Sequence, residues 1–302
     1  MRLLAAITSA PKALHRPTPH LHPALGALPL CVGLSCVLIF ANQLPEWQFM
    51  WALAFVIYVG CKWLTWWDAG APRTVGGLVF LLGWPGMDAA PFAARRALRV
   101  QPQEFAAALL KLALGAALFF YVAPRQVDAH PTLAAWLAMA GLILGLHCGL
   151  FHLLACVYRV LGWDVRPLMR APLYAQSLRE FWGQRWNLAF RDLTHRYLFQ
   201  PFTRSLGPRA ALLAGFVVSG LVHDLVISVP ARGGLGLPTL YFTLQGFAIL
   251  VERSALGRRL GLGRGWRGWL WTVLVVAGPV AVLFHPAFVD RVMLPFLNAA
   301  TR

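Results

Sequence analysis

Apolar residues run in long blocks separated by short polar stretches, and several blocks have the length of a membrane-crossing helix. The first covers about 24–44 and the second about 47–67, each close to the roughly 20 residues that cross a hydrocarbon core. Pro45-Glu46 predicts a tight hairpin between them, and Trp47, Trp51, Trp63, Trp66 and Trp67 fit an interfacial aromatic belt. Residues 104–123 and 132–158 predict a third and a fourth span, the latter long enough to tilt. A fifth is expected at 210–229, closed by Pro230, a short sixth at 239–251 and a seventh at 269–288.

Two stretches break this rhythm. The run 75–83 is short, glycine-rich and ends in Gly83-Trp84-Pro85-Gly86-Met87-Asp88. Pro85 and Gly86 stop a helix there, which predicts a half-length or re-entrant segment, and such backbone needs burial in protein or a wet cavity. The longest non-spanning region is 159–209, with nine arginines. Within it Leu188, Phe190, Leu193, Tyr197 and Leu198 alternate with Arg191, Asp192, His195 and Arg196 at helical spacing. That pattern predicts amphipathic helices lying at the cytoplasmic interface.

Composition supports the membrane reading. Hydrophobic residues make up 59% of the 302 and charged residues 13%, against roughly 25% charged in an ordinary soluble domain. A net charge of +16 would point to nucleic acid in a soluble protein. Here 21 of the 27 Lys and Arg fall in the loops 1–24, 68–74, 88–103, 159–209 and 252–267. Those loops lie on one side if 75–87 does not cross, so the positive-inside rule makes them, and the N-terminal segment 1–24, cytoplasmic. That segment lacks the three-part pattern of a cleaved signal peptide, so the first span is expected to double as the insertion signal. The expected fold is therefore one all-α, polytopic integral-membrane domain over 1–302. It has about seven spans, with re-entrant and interfacial helices, around an internal tunnel. Its Ala-, Gly- and Arg-rich composition suits a bacterial inner membrane.

Polar residues inside apolar blocks mark candidate chemistry. The five cysteines (Cys31, Cys36, Cys61, Cys148 and Cys156) all lie in apolar stretches without a Cys-x-x-Cys pair, and read as buried small hydrophobes. Lys111 falls inside the third span. Cys148, His152 and Cys156 fall at steps of four on one helical face, with His147 adjacent. A metal or haem could sit on such a stripe, but no second helix offers an obvious Cys/His partner set, so no metal is expected.

The stretch 177–229 is the more informative. It opens with Ser177-Leu178-Arg179-Glu180-Phe181-Trp182-Gly183-Gln184-Arg185-Trp186-Asn187, and the apolar block that comes after it contains His223 and Asp224. An ionised Asp at mid-helix costs on the order of 2.5–3.5 kcal/mol on insertion scales, so such a residue normally faces a protein interior or a wet cavity. Asn187 can donate to a developing oxyanion, or it can be an ordinary residue of an interfacial helix. His223 can serve as a general base, or it can be a packing residue bonded to a backbone carbonyl. Ser219 lies four residues before it on the same face, but without a Gly-x-Ser-x-Gly elbow a covalent serine mechanism has little support. Asp224 projects about 100° away from His223 around the helix, given 3.6 residues per turn.

The two pieces Phe181-Trp182-Gly183-Gln184-Arg185-Trp186-Asn187 and Ser219-Gly220-Leu221-Val222-His223-Asp224 resemble the motifs of the membrane-bound O-acyltransferases, in particular the wax-synthase-like branch. Trp84-Pro85-Gly86-Met87-Asp88 is similar to bacterial members, more weakly. Asp224 departs from the glutamate common at that place. The resemblance implies that His223 and Asn187 are the active-site pair and that the acyl group moves from a thioester, usually acyl-CoA, to an alcohol hydroxyl. It implies no bound cofactor, with Ser219, Asp224, Trp182 and Trp186 in supporting places. Arg179 and Arg185 are candidates to receive CoA phosphates. The competing reading is a transporter of a lipid or lipid-linked carrier, favoured by the intramembrane ionisable pair and the short segments at 75–87 and 239–251. Against it stands the absence of an inverted repeat. A third, a haem or metal protein built on His147 and His152, ranks last.

Overall fold

The computed structural model describes residues 23–301 apart from Ala97, and the described residues form helices and loops without a strand. The segment expected at 1–24 lies almost wholly outside the described residues. In chain order the main helices are α1 (Pro23–Ile39), α2 (Glu46–Asp68), the nine-residue α3 (Val75–Gly83), α4 (Pro102–Gln126) and α5 (Pro131–Val160). They continue with α6 (Leu188–Ala231), α7 (Leu237–Arg253), α8 (Gly265–Leu283) and α9 (Leu294–Thr301). The protein is an all-α, polytopic integral membrane protein. Five helices, α2, α4, α5, α6 and α8, are long and apolar enough to cross a bilayer. The expected sixth span is shorter than the other spans. At 17 residues, α7 extends about 26 Å at 1.5 Å per residue, a few ångströms less than a core of roughly 30 Å.

Close helix crossings are made where a side chain is missing. On α4, Gly115 meets the backbone of Gly145 on α5 so closely that a Cβ would collide. Small residues let backbones approach where lipid supplies no hydrophobic driving force between helices. Leu109, Leu110 and Leu114 on the outer face of α4 stay about half exposed, as a lipid-facing stripe should be.

The fifth expected span is half of a longer element. α6 bends at Gly207, whose φ of 78° is the left-handed backbone that glycine tolerates, followed by Pro208. The amphipathic stretch forms the first arm of α6 and the apolar block the second. Straight, the 36 residues from Asn187 to His223 would separate them by about 54 Å. The bend instead brings Ala189 and Leu193 of the first arm into one apolar cluster with Val222 and Leu225 of the second.

A C-terminal element that the apolar pattern does not predict completes the fold. Val292 and Leu297 are fully buried, and Phe296 packs on Trp47 and Trp51 with ring centroids 5.6 and 5.5 Å apart. The expected aromatic belt is corrected accordingly. Trp47 and Trp51 dock the C-terminal helix, and Trp66 is buried, its indole N–H donating to Pro72 O at 3.3 Å.

Candidate active site

Both motif pieces sit where regular helix gives way. Ser177 starts the first: its Oγ accepts from Glu180 N at 3.0 Å, and the Glu180 carboxylate accepts from Gln176 N at 2.8 Å. This is a reciprocal cap, reinforced by Glu252 of α7, whose Oε2 accepts from Leu178 N at 2.7 Å. The chain then makes a π-helical turn over Phe181–Arg185 and breaks at Trp186, which is extended. Such turns recur at functional sites because the extra residue re-aims the side chains beyond it.

Asn187 comes next, in left-handed backbone, φ 42°, a conformation that asparagine adopts more readily than most L-residues. The corner is held by segment 168–170. Leu188 N donates to Leu168 O at 3.0 Å, Arg170 N to Arg185 O at 2.8 Å, and Asn187 N points at Met169 Sδ, 3.1 Å away. Asn187 Oδ1 accepts from Phe190 N at 3.4 Å, capping α6. Among the described residues this is the one hydrogen bond of its side chain, and the Nδ2 amine remains available as a donor.

His223 lies on the second arm, one residue before a π-helical turn over Asp224–Ser228. Its Nδ1 is 2.7 Å from Ser219 O. A carbonyl oxygen only accepts, so Nδ1 carries the proton and Nε2 presents a lone pair. The backbone of Ser219, not its hydroxyl, therefore engages the imidazole, and a Ser219–His223 nucleophile–base pair finds no support in this geometry. The ring lies 4.2 Å, centroid to centroid, from Phe242 of α7. Phe242 in turn touches Trp182 at 5.7 Å, and Trp182 Nε1 donates to Gln245 Oε1 at 3.3 Å. The fully buried Gln245 also donates to Val275 O at 2.8 Å. Trp182 thus belongs to the aromatic surround of His223, while Trp186 stacks on Phe181, 5.5 Å apart and 12° from parallel.

Asp224 serves the loop rather than the imidazole. It is buried, and its carboxylate accepts from Gly236 N at 2.8 Å, Thr239 N at 3.1 Å and the Thr239 hydroxyl. It fixes the start of α7 against α6, where Gly220 lies so close to Thr239 that a Cβ would strike its backbone. Below this joint Ser228 Oγ donates to Gly234 O at 3.2 Å and faces His285 Nε2 at 3.2 Å, both side chains being buried. Asp224→Ala takes the shared acceptor from the Gly236 and Thr239 donors at this part-buried joint, an expected loss of roughly 1–3 kcal/mol in all. The expected outcome is a clear fall in the melting temperature of detergent-purified protein, with Asp224→Asn, which keeps an acceptor, falling less.

The arginine assignments divide. Arg185 is committed within the fold: its Nε donates to Glu180 Oε1 at 2.7 Å and Nη1 to Arg170 O and Ala171 O at 3.0 and 3.1 Å. With its fork closed on protein acceptors it has few donors left to offer a phosphate. Arg179, half-buried, has Glu252 as a near carboxylate.

The His147–His152 stripe is also better explained. A second helix does reach it: Lys111 Nζ donates to His152 Nδ1 at 2.8 Å, and Glu104 pairs with Arg159 at 2.5 Å. Ligand atoms of Glu104, His152 and Cys156 lie within 4.8 Å of one another. Two cations in the same cluster suit a charge-balanced helix contact better than a divalent ion.

Asn187 and His223 share no hydrogen bond among the described residues. What joins them is the apolar cluster holding Ala189, Val222 and Leu225 together with Trp84, Met87 and Leu168. Sequence reasoning missed Phe242, Thr239, His285 and Gln245. A lone amide in an apolar segment was the available signal.

Residues 165–244 match the model of the Membrane bound O-acyl transferase family, a range that contains both motif pieces. The chain is similar to Probable long-chain-alcohol O-fatty-acyltransferase 7 of Arabidopsis thaliana, 30% identical over 144 residues, 43% of this chain and 42% of the relative. It is also similar to Long-chain-alcohol O-fatty-acyltransferase of Simmondsia chinensis, 33% identical over 141 residues, 43% of this chain and 40% of the relative. The matches thus span about two-fifths of the length of these relatives.

Proposed function

We propose that the chain is a wax-synthase-like member of the membrane bound O-acyl transferase family and that it transfers an acyl group from a thioester to the hydroxyl of a long-chain alcohol. The observation that carries this reading is the tautomer of His223. With Nδ1–H held by Ser219 O, Nε2 is a base placed among apolar side chains. In the proposed step Nε2 takes the hydroxyl proton as the alcohol oxygen attacks the thioester carbonyl. Asn187 Nδ2 donates to the carbonyl oxygen as it becomes negative, the role of an oxyanion donor. The carbon–sulfur bond then breaks, the thiolate leaves, and the proton passes from Nε2 to the thiolate, giving the free thiol. Exclusion of water by the surrounding bilayer and aromatic side chains keeps the thioester from hydrolysis.

Acyl-CoA is the proposed donor. Its phosphates suit the arginine-rich 159–209 region, with Arg179 retained as a contact and Arg185 set aside. The clustering of 21 of 27 basic residues on one side supports a cytoplasmic N-terminal face, and composition favours a bacterial inner membrane. The relatives' names supply the acceptor class, a long-chain alcohol, and the donor class, a fatty acyl group. A lipid transporter keeps some support from the half-length α3.

Thiol release by purified protein from acetyl- to palmitoyl-CoA, with and without a pool of long-chain alcohols, tests the assignment. The expected result is release that requires alcohol and peaks at a fatty chain length. Protein that is folded and monodisperse yet leaves every thioester intact sinks it.

A further inference from the structure

One face of α2 is stitched to the irregular turn after α3. Tyr58, Lys62 and Thr65 fall at steps of four and three, the spacing of a single helical face. The Tyr58 hydroxyl donates to Trp84 O at 3.4 Å, Lys62 Nζ donates to Gly86 O, and Thr65 Oγ1 lies 4.0 Å from Met87 Sδ. Lys62 is 2% exposed. Its Nζ lies 3.2 Å from the centroid of the Phe80 ring on α3, an N–H···π contact that ties α2 to α3.

The turn needs such a partner. Trp84 to Met87 leaves helical geometry inside a membrane protein, and an unpaired carbonyl there has no water to turn to. Lys62 supplies the donor that the buried Gly86 O requires. Trp84 and Met87 are themselves buried and belong to the apolar cluster with Ala189, two residues beyond Asn187, and with Val222 and Leu225 on either side of His223.

We propose that Lys62 is a positioning residue for acyl transfer: through Gly86 O and the Phe80 ring it holds the Trp84–Met87 turn as a wall against both arms of α6. This rests on the proposed function. Lys62 touches neither substrate nor the reacting atoms. It acts through the wall, whose displacement moves Asn187 and His223 out of register, and displacements of about 1 Å cost on the order of 10²-fold in rate.

The test uses full-length protein, with turnover normalised to folded, monodisperse molecules. Lys62→Met is expected to lower kcat about 10- to 100-fold with little change in KM for acyl-CoA. Lys62→Gln, which restores a donor, recovers a large part of it. Tyr58→Phe removes a neighbouring stitch, gives a loss of a few fold, and carries the test if Lys62→Met fails to insert. A readout independent of activity is maleimide labelling of Met87→Cys in a background with the native cysteines replaced. Labelling is expected to be slow with Lys62 and several-fold faster with Met in its place. Unchanged kcat and KM in Lys62→Met, or unchanged labelling, overturns the proposal while leaving the acyltransferase reading intact. A wild type that consumes no thioester defeats that reading instead, and the labelling comparison still decides whether Lys62 holds the turn.

Discussion

His223→Ala is expected to lower alcohol-dependent turnover by at least 10²-fold, within the 10²–10⁴ contributed by a positioned general base. The argument is geometric. Nδ1 is occupied by Ser219 O at 2.7 Å, so a proton taken from substrate must arrive at Nε2, and no other imidazole joins Phe242 and Trp182 among the described contacts. The bond that is lost lies within α6 itself, so insertion, yield and melting temperature are expected to remain close to wild type. A change confined to kcat, with the thioester still bound, matches a group acting in the transition state. Turnover at the wild-type rate removes His223 from the chemistry and reduces it to a packing residue.

Asn187→Ala is expected to cost about 10²-fold or more in kcat, the scale of losing one oxyanion donor. This substitution also removes a helix cap worth about 1 kcal/mol and places alanine in left-handed backbone at φ 42°. Two companions separate these effects. Asn187→Gly keeps the backbone conformation at small cost, and Asn187→Asp keeps the capping acceptor while losing the Nδ2 donor. All three are expected to lose the rate, whereas the melting temperature falls chiefly in the alanine variant. Rates that track stability instead, low in Ala and near normal in Gly and Asp, make Asn187 a cap and nothing more.

These expectations draw on parts of the molecule that differ in how far the chain announces them. Span-length helices were legible because a bilayer imposes a length, and α2, α4, α5 and α8 begin and end within a few residues of the expected places. The half-length α3 was legible because Pro85 and Gly86 cannot continue it. The continuity of α6 was not. Gly207-Pro208 reads locally as a break, and only packing reveals that helix resumes on both sides of it. The C-terminal element over 289–301 was missed because Asp290, Arg291 and Asn298 interrupt its short apolar pattern.

For the site, the motif pieces marked His223 and Asn187, but their surround comes from far along the chain. Asp224 reaches Gly236 and Thr239, 12 and 15 residues on, and Trp182 meets Gln245 across 63. No period or short motif encodes such pairs. Phe242 carries no local mark that separates it from the other 18 phenylalanines. Arg185 shows the converse: its place in a basic, aromatic motif points to a phosphate, while in the fold it makes three hydrogen bonds to protein acceptors that no motif announces.

The most direct test of the central claim is the stoichiometry of ester to free thiol when purified protein is given an acyl-CoA and a long-chain alcohol. The account predicts one ester formed for each thiol released, neither without alcohol, and both lost in His223→Ala. Thiol released without ester means water is the acceptor and the chamber does not exclude it. An intact thioester, with alcohol or lipid moving across proteoliposome membranes, contradicts acyl transfer and makes the protein a transporter.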